Sequence, residues 1–345
     1  MKARLKYIDG LKGFAIFCVL WGHSIQYMRN DDFFHNAFFE FIYAFHMPLF
    51  FFISGYFFSS SLKLTFKEFF TKKITQLLLP CVVWAFLFYL IRLVFSLVNE
   101  NSFLWQKELI HLLNPYQWPF WFLKELFFSY AITFCSLKIL KKEWLAFLIC
   151  IGIILSVPWV TTYQRFLLPV FLAGIMVNKQ QNYMFSKLNT VLLITGILFF
   201  SGLFFWKGDY TIYVTGFPKL FSFSKLVFNF QNIDISMFRL FLGLSGSLFF
   251  FFLFKKTYTE CFFYSVFEIM GKYTLAIYIL QVTILENTIS RLVDFSSTNI
   301  WIYNIFITPG ISIITAIICV IIINLARKNK KIEYILFGSS YKKQD

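Results

Sequence analysis

The sequence predicts an all-α fold: a polytopic membrane bundle of about ten transmembrane helices with both termini cytoplasmic. Three observations predict it. Of the 345 residues 59% are hydrophobic, 14% are charged and Phe alone occurs 51 times, whereas a soluble domain carries about a quarter charged residues. Apolar stretches of roughly 17 to 22 residues recur along the chain, each long enough to cross a hydrocarbon core of about 30 Å. Basic residues, finally, gather in every second loop, as the positive-inside bias requires.

The spans fall at about 13–28, 37–58, 77–98, 119–138, 144–160, 165–177, 189–206, 236–254, 273–290 and 301–325. The sixth is short and flanked by polar residues. The first begins too late, and leads too evenly into further spans, to be a cleaved signal peptide. Lys and Arg cluster at the N-terminus (Lys2, Arg4, Lys6, Lys12) and after span two (Lys63, Lys67, Lys72, Lys73). They recur after span four (Lys138, Lys141, Lys142), span six (Lys179, Lys187), span eight (Lys255, Lys256) and at the C-terminus (Arg327, Lys328, Lys330, Lys331). The alternation implies an even number of spans. It also reads the net charge of +15 as a topology signal and not as a nucleic-acid footprint. No internal repeat, low-complexity tract or long linker interrupts the chain, so residues 1–345 read as one integral-membrane domain without a soluble appendage. Of the six cysteines, all but Cys261 lie inside apolar spans and none forms a Cys-x-x-Cys pair; buried free thiols are expected, with no disulfide framework and no metal site.

Chemistry must then come from polar residues carried by apolar helices. Each costs roughly 2.5 to 3.5 kcal/mol on insertion scales unless it faces a cavity or a partner. They are His23, Glu40, His46, Arg92, Lys124, Glu125, Arg239 and Glu286. Arg92 and Glu286 sit near span ends and can snorkel to the interface. Lys124 and Glu125 are adjacent and point to different faces.

The histidines stand apart. Lys12 and His23 are eleven residues apart, within about 20° of three full turns, and so share one face of the first span. Their axial separation is about 16 Å, half the hydrocarbon thickness. One face thus carries a cation at the cytoplasmic surface and a titratable imidazole deeper in the membrane. A buried, hydrogen-bonded His beside an ordinary inside-positive charge is the bland reading of the same pattern. His46 lies in Ala44-Phe-His-Met-Pro48. Pro48 frees a backbone carbonyl and is expected to bend the helix, and Ser54 and Gly55 allow close helix contact. His46 is therefore either a cavity-wall group or a packed imidazole. The aromatic outer loop 207–235, with Trp206, Tyr210, Tyr213, Phe217 and Phe221, suits sugar faces but suits the membrane interface better.

These residues carry a resemblance. Asp9-Gly-Leu-Lys-Gly13, the Lys12-to-His23 spacing and Phe45-His-Met-Pro-Leu-Phe-Phe-Phe-Ile-Ser-Gly55 resemble the opening of the membrane acyltransferase family 3, most closely its fucose-4-O-acetylase-like branch. Pro119-Phe-Trp-Phe-Leu123 and Thr274-Leu-Ala-Ile-Tyr278 are similar to later family elements. The resemblance runs from residue 5 to about 285. It implies a ten-helix domain of the bacterial cytoplasmic membrane that takes an acyl group, commonly acetyl, from cytoplasmic acetyl-CoA or another acyl-CoA. The acceptor it implies is a hydroxyl of a surface glycan or glycolipid precursor. Lys12 and His23 match the family's essential pair. The expected catalytic residues are His23 and His46. Lys12, Lys72 and Lys73 are expected to hold the donor, although the family's second arginine at that place is Gln76 here. Trp121, Lys124 and Glu125, at the entry of the fourth span, are the candidates for contacting the substrate. Gln281 stands roughly where the family often has a late His.

A sugar hydroxyl is a poor nucleophile at neutral pH, and imidazole is the side chain suited to take its proton there. His23 serves as a general base or as an acyl carrier; the sequence leaves both open. No Gly-x-Ser-x-Gly elbow points to a serine acyl-enzyme. The competing classes are a transporter or flippase for lipid-linked glycans, for which repeat symmetry would be expected, and a structural subunit. The partners expected are the acyl-CoA, the glycan acceptor and membrane lipids.

Overall fold

The structure is a computed structural model that describes residues 5–29, 31–98, 120–140, 142–157, 160–222, 227–259 and 261–338. Lys2, Arg4, Pro119 and Lys141, which carry part of the charge pattern and of one motif, lie outside the described residues. The protein is an all-α membrane protein. Its helices are α1 Lys6–Tyr27, α2 Ala37–Tyr56, α3 Phe66–Lys73, α4 Leu79–Val98, α5 Trp121–Ile139, α6 Glu143–Ser156, α7 Thr162–Lys179, α8 Leu188–Leu203, α9 Ile233–Thr257, α10 Phe262–Lys272, α11 Thr274–Gln281, α12 Thr308–Ala326 and α13 Lys330–Phe337. Among the described residues the extended segments are β1 Phe221–Ser222 and β2 Val227–Phe228, paired antiparallel with Phe221 opposite Phe228.

Each of the ten expected segments falls on helix, but they are not alike. Five stretches are long and apolar enough to cross a membrane: Lys6–Tyr27, Ala37–Lys63, Phe66–Val94, Ile233–Thr257 and Ile300–Ala326. A sixth arises if Tyr264–Lys272 and Thr274–Leu292, bent by 76°, count as one broken span. α6 and α8 have 14 and 16 residues, or about 21 and 24 Å of rise, short of a full hydrocarbon core. α5 and α7 carry Lys124, Glu125, Gln164 and Arg165 in their first turns, which lowers their hydropathy.

Local chemistry sets the helix ends. The Asn36 side chain accepts from the Phe38 and Phe39 amides and starts α2, Thr65 and Glu68 close a capping box at α3, and Thr161 caps α7; such caps satisfy amides that a helix start leaves unpaired. α2 runs as one helix through Pro48 from Ala37 to Tyr56. Gly243 of α9 leaves the room that the Pro48 ring takes.

Two crossings fix the bundle. A Cβ at Gly13 would land on the Phe267 carbonyl, and one at Gly271 on the Asp9 carbonyl, so α1 and α10 touch backbone to backbone. Gly55 and Gly174 do the same for α2 and α7. Small residues permit this approach, and dispersion and carbonyl contacts replace the missing hydrophobic force in lipid. Phe fills the rest: Phe45 stacks on Phe250 at 4.3 Å, and Phe14 packs on Phe250 at 5.0 Å.

Candidate active site

The first crossing has a chemical consequence. Lys12 and Lys272 are each the sequence neighbour of a glycine that makes the contact, so the crossing delivers both to one cavity. That cavity, of about 250 Å3, is lined by Lys12, Ser54, Lys272, Thr274 and Tyr278 among apolar side chains. Lys12 also lies 5.5 Å from the Phe57 ring centroid.

The shared face of α1 holds. Lys12 meets the Thr274–Tyr278 part of α11 across the cavity, and His23 meets the continuation of the same helix. His23 Nδ1 lies 2.8 Å from Glu286 Oε1 and 3.0 Å from Gln281 Oε1. Gln281 Nε2 in turn donates to Glu286 Oε1 at 2.9 Å, and the Tyr27 hydroxyl hydrogen-bonds the same carboxylate. Both neighbours of Nδ1 are acceptors, so Nδ1 carries a proton. The His23 and Glu286 side chains are each 18% exposed, which makes this a largely desolvated pair strengthened by charge assistance.

Glu286 is therefore not an interfacial snorkeller, as its place near a span end suggests. The cause is local: residues Val282–Ile289 form a π-helical stretch. Its i→i+5 bonding widens the turn and brings Gln281 and Glu286 toward one face, where an α-helix would set them about 140° apart.

His46 is buried, with Nδ1 at 2.7 Å from the Ile42 carbonyl of its own helix. It packs edge-on to Tyr43 at 4.7 Å and lies within electrostatic reach of His23. Tyr27, Tyr43, Tyr213 and Tyr278 all lie within similar reach of Glu286. His46 and Tyr43 line a second, smaller cavity of about 30 Å3 with Trp121, Tyr163, Trp206 and Arg239. Met47 is a wall of both cavities.

Trp121 stacks on Tyr163 at 4.3 Å and 24°. It starts α5 directly after Phe120, whose φ of 67° is left-handed; for a bulky residue this costs on the order of 1–3 kcal/mol and persists only where packing enforces it. Phe120 is buried against Tyr278. Lys124 and Glu125 line neither cavity. Glu125 is buried between α5 and α7, where Gln164 donates to its Oε2 at 2.9 Å and accepts from Ser129 Oγ at 2.8 Å. Lys124 lies on the side of Cys81 in α4. The adjacent pair does point two ways, toward helix neighbours.

The two lysines after span two also diverge. Lys73 is buried with Nζ 3.4 Å from the Tyr130 ring centroid, and the Tyr130 hydroxyl donates to the Ser54 carbonyl beside the Lys12 cavity. Lys72 is exposed on an open groove with Lys67 and Gln76.

Part of the loop after α8 packs onto the bundle. Trp206 and Phe217 are buried, whereas Tyr213, Phe228 and Phe230 are exposed. Arg239, 2% exposed, donates from Nε to the Tyr210 carbonyl and from Nη2 to the Thr215 carbonyl, both at 2.6 Å.

The family model described as an acyltransferase domain matches residues 5–324. The chain belongs to the acyltransferase 3 family of membrane acyltransferases. It is similar to nodulation protein NolL of Sinorhizobium fredii, at 30% identity over 205 residues, 56% of this chain and 53% of that protein. Nodulation protein NolL of Mesorhizobium japonicum is 32% identical over 130 residues, covering 36% and 34% of the two chains. The chain thus spans about half the length of the first relative and a third of the second. No solved structure matches it. Sequence reasoning missed Glu286 as a partner of His23, Tyr278 as more than part of a motif, and Lys272 and Tyr43 altogether. The one signal for Lys272 was its glycine neighbour in a helix that packs on α1.

Proposed function

We propose that this protein is an O-acetyltransferase of the bacterial cytoplasmic membrane, with both termini cytoplasmic and the whole chain acting as one domain. It would take acetyl from acetyl-CoA and place it on a sugar hydroxyl of a surface glycan or glycolipid precursor. One observation carries the reading: His23 is paired with the Glu286 carboxylate on the helix whose Lys12 lines a cavity together with Lys272. Family membership favours it over a transporter.

On this reading the phosphates of acetyl-CoA sit against Lys12 and Lys272, with Lys73 behind Tyr130 and Lys72 at the rim. His23 Nε2 accepts the proton of the attacking hydroxyl as its oxygen bonds to the thioester carbonyl carbon. The C–S bond then breaks, and the proton passes to the CoA thiolate. Glu286 balances the imidazolium formed between these steps. Positioned general-base catalysis of this kind contributes about 10² to 10⁴ in rate. His46, with Nδ1 tied to Ile42, offers Nε2 to orient the acceptor hydroxyl. Trp121 forms part of the acceptor wall. Lys124 and Glu125 support it by holding α5 in place.

The test is acetyl-CoA-dependent labelling of glycan in inverted vesicles, compared between a deletion strain and its parent; equal labelling in both overturns the reading. Labelled protein trapped without acceptor would replace the base by an acyl-imidazole carrier. Lys12→Ala is expected to raise the KM for acetyl-CoA about tenfold, and Lys12→Arg to retain most activity because it keeps the charge. External labelling of a cysteine placed at Lys330 would contradict the topology.

A further inference from the structure

We infer that Tyr303 is a positioning residue for His23: it fixes the turn of α1 that carries the imidazole, so that the ring stays against Glu286. The inference rests on the reading of His23 as the group that takes the proton.

The span Ile300–Ala326 turns its apolar side chains out and its polar ones in. Ile313, Ile314 and Ile317 are exposed, whereas Tyr303, Thr308 and Ser312 are fully buried. The inward stripe grips α1 over a short length. Trp21 Nε1 donates to Thr308 Oγ1 at 2.9 Å. Ser312 gives its proton to the Thr308 carbonyl, so the Ser24 hydroxyl donates to Ser312 Oγ, 3.2 Å away. The Tyr303 hydroxyl reaches the Ser24 carbonyl at 2.9 Å and the Ile25 carbonyl at 3.0 Å. At 100° per residue, Trp21 and Ile25 lie about 160° round the helix from His23, and Ser24 about 100°. The grip is therefore on the back of α1, and the imidazole meets Glu286 on the other side.

Hydroxyl residues often do no more than hold membrane helices together. Two features set Tyr303 apart. Its targets are backbone carbonyls within the last four residues of α1, which ends at Tyr27; a helix end leaves such carbonyls without an intrahelical donor. One hydroxyl thus serves two of them where the side chain is closed to solvent. The turn it holds also carries more than His23. The Tyr27 ring stands edge-on to the imidazole at 5.8 Å, and its hydroxyl hydrogen-bonds Glu286. Moving this turn would shift both groups against the carboxylate. Just beyond it, the Phe295 amide donates to the Met28 carbonyl at 2.9 Å, and Arg29 stands over the Tyr303 ring at 5.1 Å. A helix end is ordinarily the part that frays; here it is tied down beside the base.

The test uses the full chain purified in detergent, with acetyl-CoA as donor, glycan extracted from a deletion strain as acceptor, and release of the CoA thiol as the readout. Tyr303→Phe removes only the hydroxyl. A misplacement of about 1 Å can cost 10²-fold, and loss of one tether in a packed turn is expected to lower kcat about tenfold at matched folded protein. The KM for acetyl-CoA and for the glycan should stay constant. In Glu286→Gln the partner to which the turn is aligned has lost its charge, so adding Tyr303→Phe should slow transfer by less than about a further twofold. Ser312→Ala, which releases Ser24, should lower kcat about threefold with the same constant KM values, and it decides the matter where Tyr303→Phe fails to fold. Unchanged kcat, a loss that only follows the amount of folded protein, or a full tenfold loss in the Glu286→Gln background would each overturn the positioning role. Parental transfer by His23→Asn would instead overturn the base reading beneath it.

Discussion

His23 and His46 are the same side chain in two settings, each with Nδ1 engaged by a neighbour. For His23 the occupant is a carboxylate, Glu286, reinforced by Gln281 and Tyr27. For His46 it is the carbonyl of Ile42 one turn back in its own helix. A positive charge formed on His23 meets a full negative charge in a largely desolvated place; one formed on His46 meets a single peptide dipole. Leaving a buried charge uncompensated costs several kcal/mol. The difference teaches that two histidines of one bundle can differ in whether a carboxylate faces them, and that sequence position alone does not say which one has it.

The comparison can be broken from either side. His23→Asn keeps a hydrogen-bonding group of similar size but cannot take up a proton near pH 7. It should lower acetyl transfer about 10³-fold at normal protein levels, measured against membrane protein amount by immunoblot. A proportional loss of protein and activity would make His23 a packing residue. Glu286→Gln keeps the shape and one hydrogen bond to Nδ1 but removes the charge, and is expected to reduce the rate of transfer about 10²-fold, a loss of the size found when partners of a functional imidazole are removed, while leaving the KM for acetyl-CoA unchanged. A KM effect alone would place Glu286 at the donor. His46→Gln should have the smallest effect, about tenfold, seen in the KM for the acceptor because its proposed part is to orient a hydroxyl. A loss as deep as that of His23→Asn would mean that the two histidines share the proton.

Much of this arrangement was legible in the residues, and the part that was not has physical causes. Lys12 and His23 could be paired because α1 is an unbroken helix from Lys6 to Tyr27, so 100° per residue applied throughout. His46 and Trp121, both flagged by motifs, line one cavity. Glu286 escaped because its helix leaves α geometry at Val282, and a five-residue spacing changes face when the hydrogen-bond pattern changes. Gln164 and Thr161 satisfy Glu125 from α7, partners that the sequence does not place beside it. The expected ninth span began at residue 273, so α10, which meets α11 at a 76° bend, lay outside every expected span. Trp206 and Phe217 read as interface residues because Arg239, which holds the Tyr210 and Thr215 carbonyls of the same loop, is distant in sequence from them.

The central claim is that His23 and Glu286 act as one unit, and a double-mutant cycle on the transfer rate tests it most directly. Groups that act as a unit are strongly non-additive. With purified protein, saturating acetyl-CoA and matched folded amounts, the rate of His23→Asn/Glu286→Gln should equal that of His23→Asn alone, because a carboxylate without its imidazole has nothing left to assist. Losses that multiply, with the double variant about a further 10²-fold slower, would contradict the pairing and return Glu286 to an independent role.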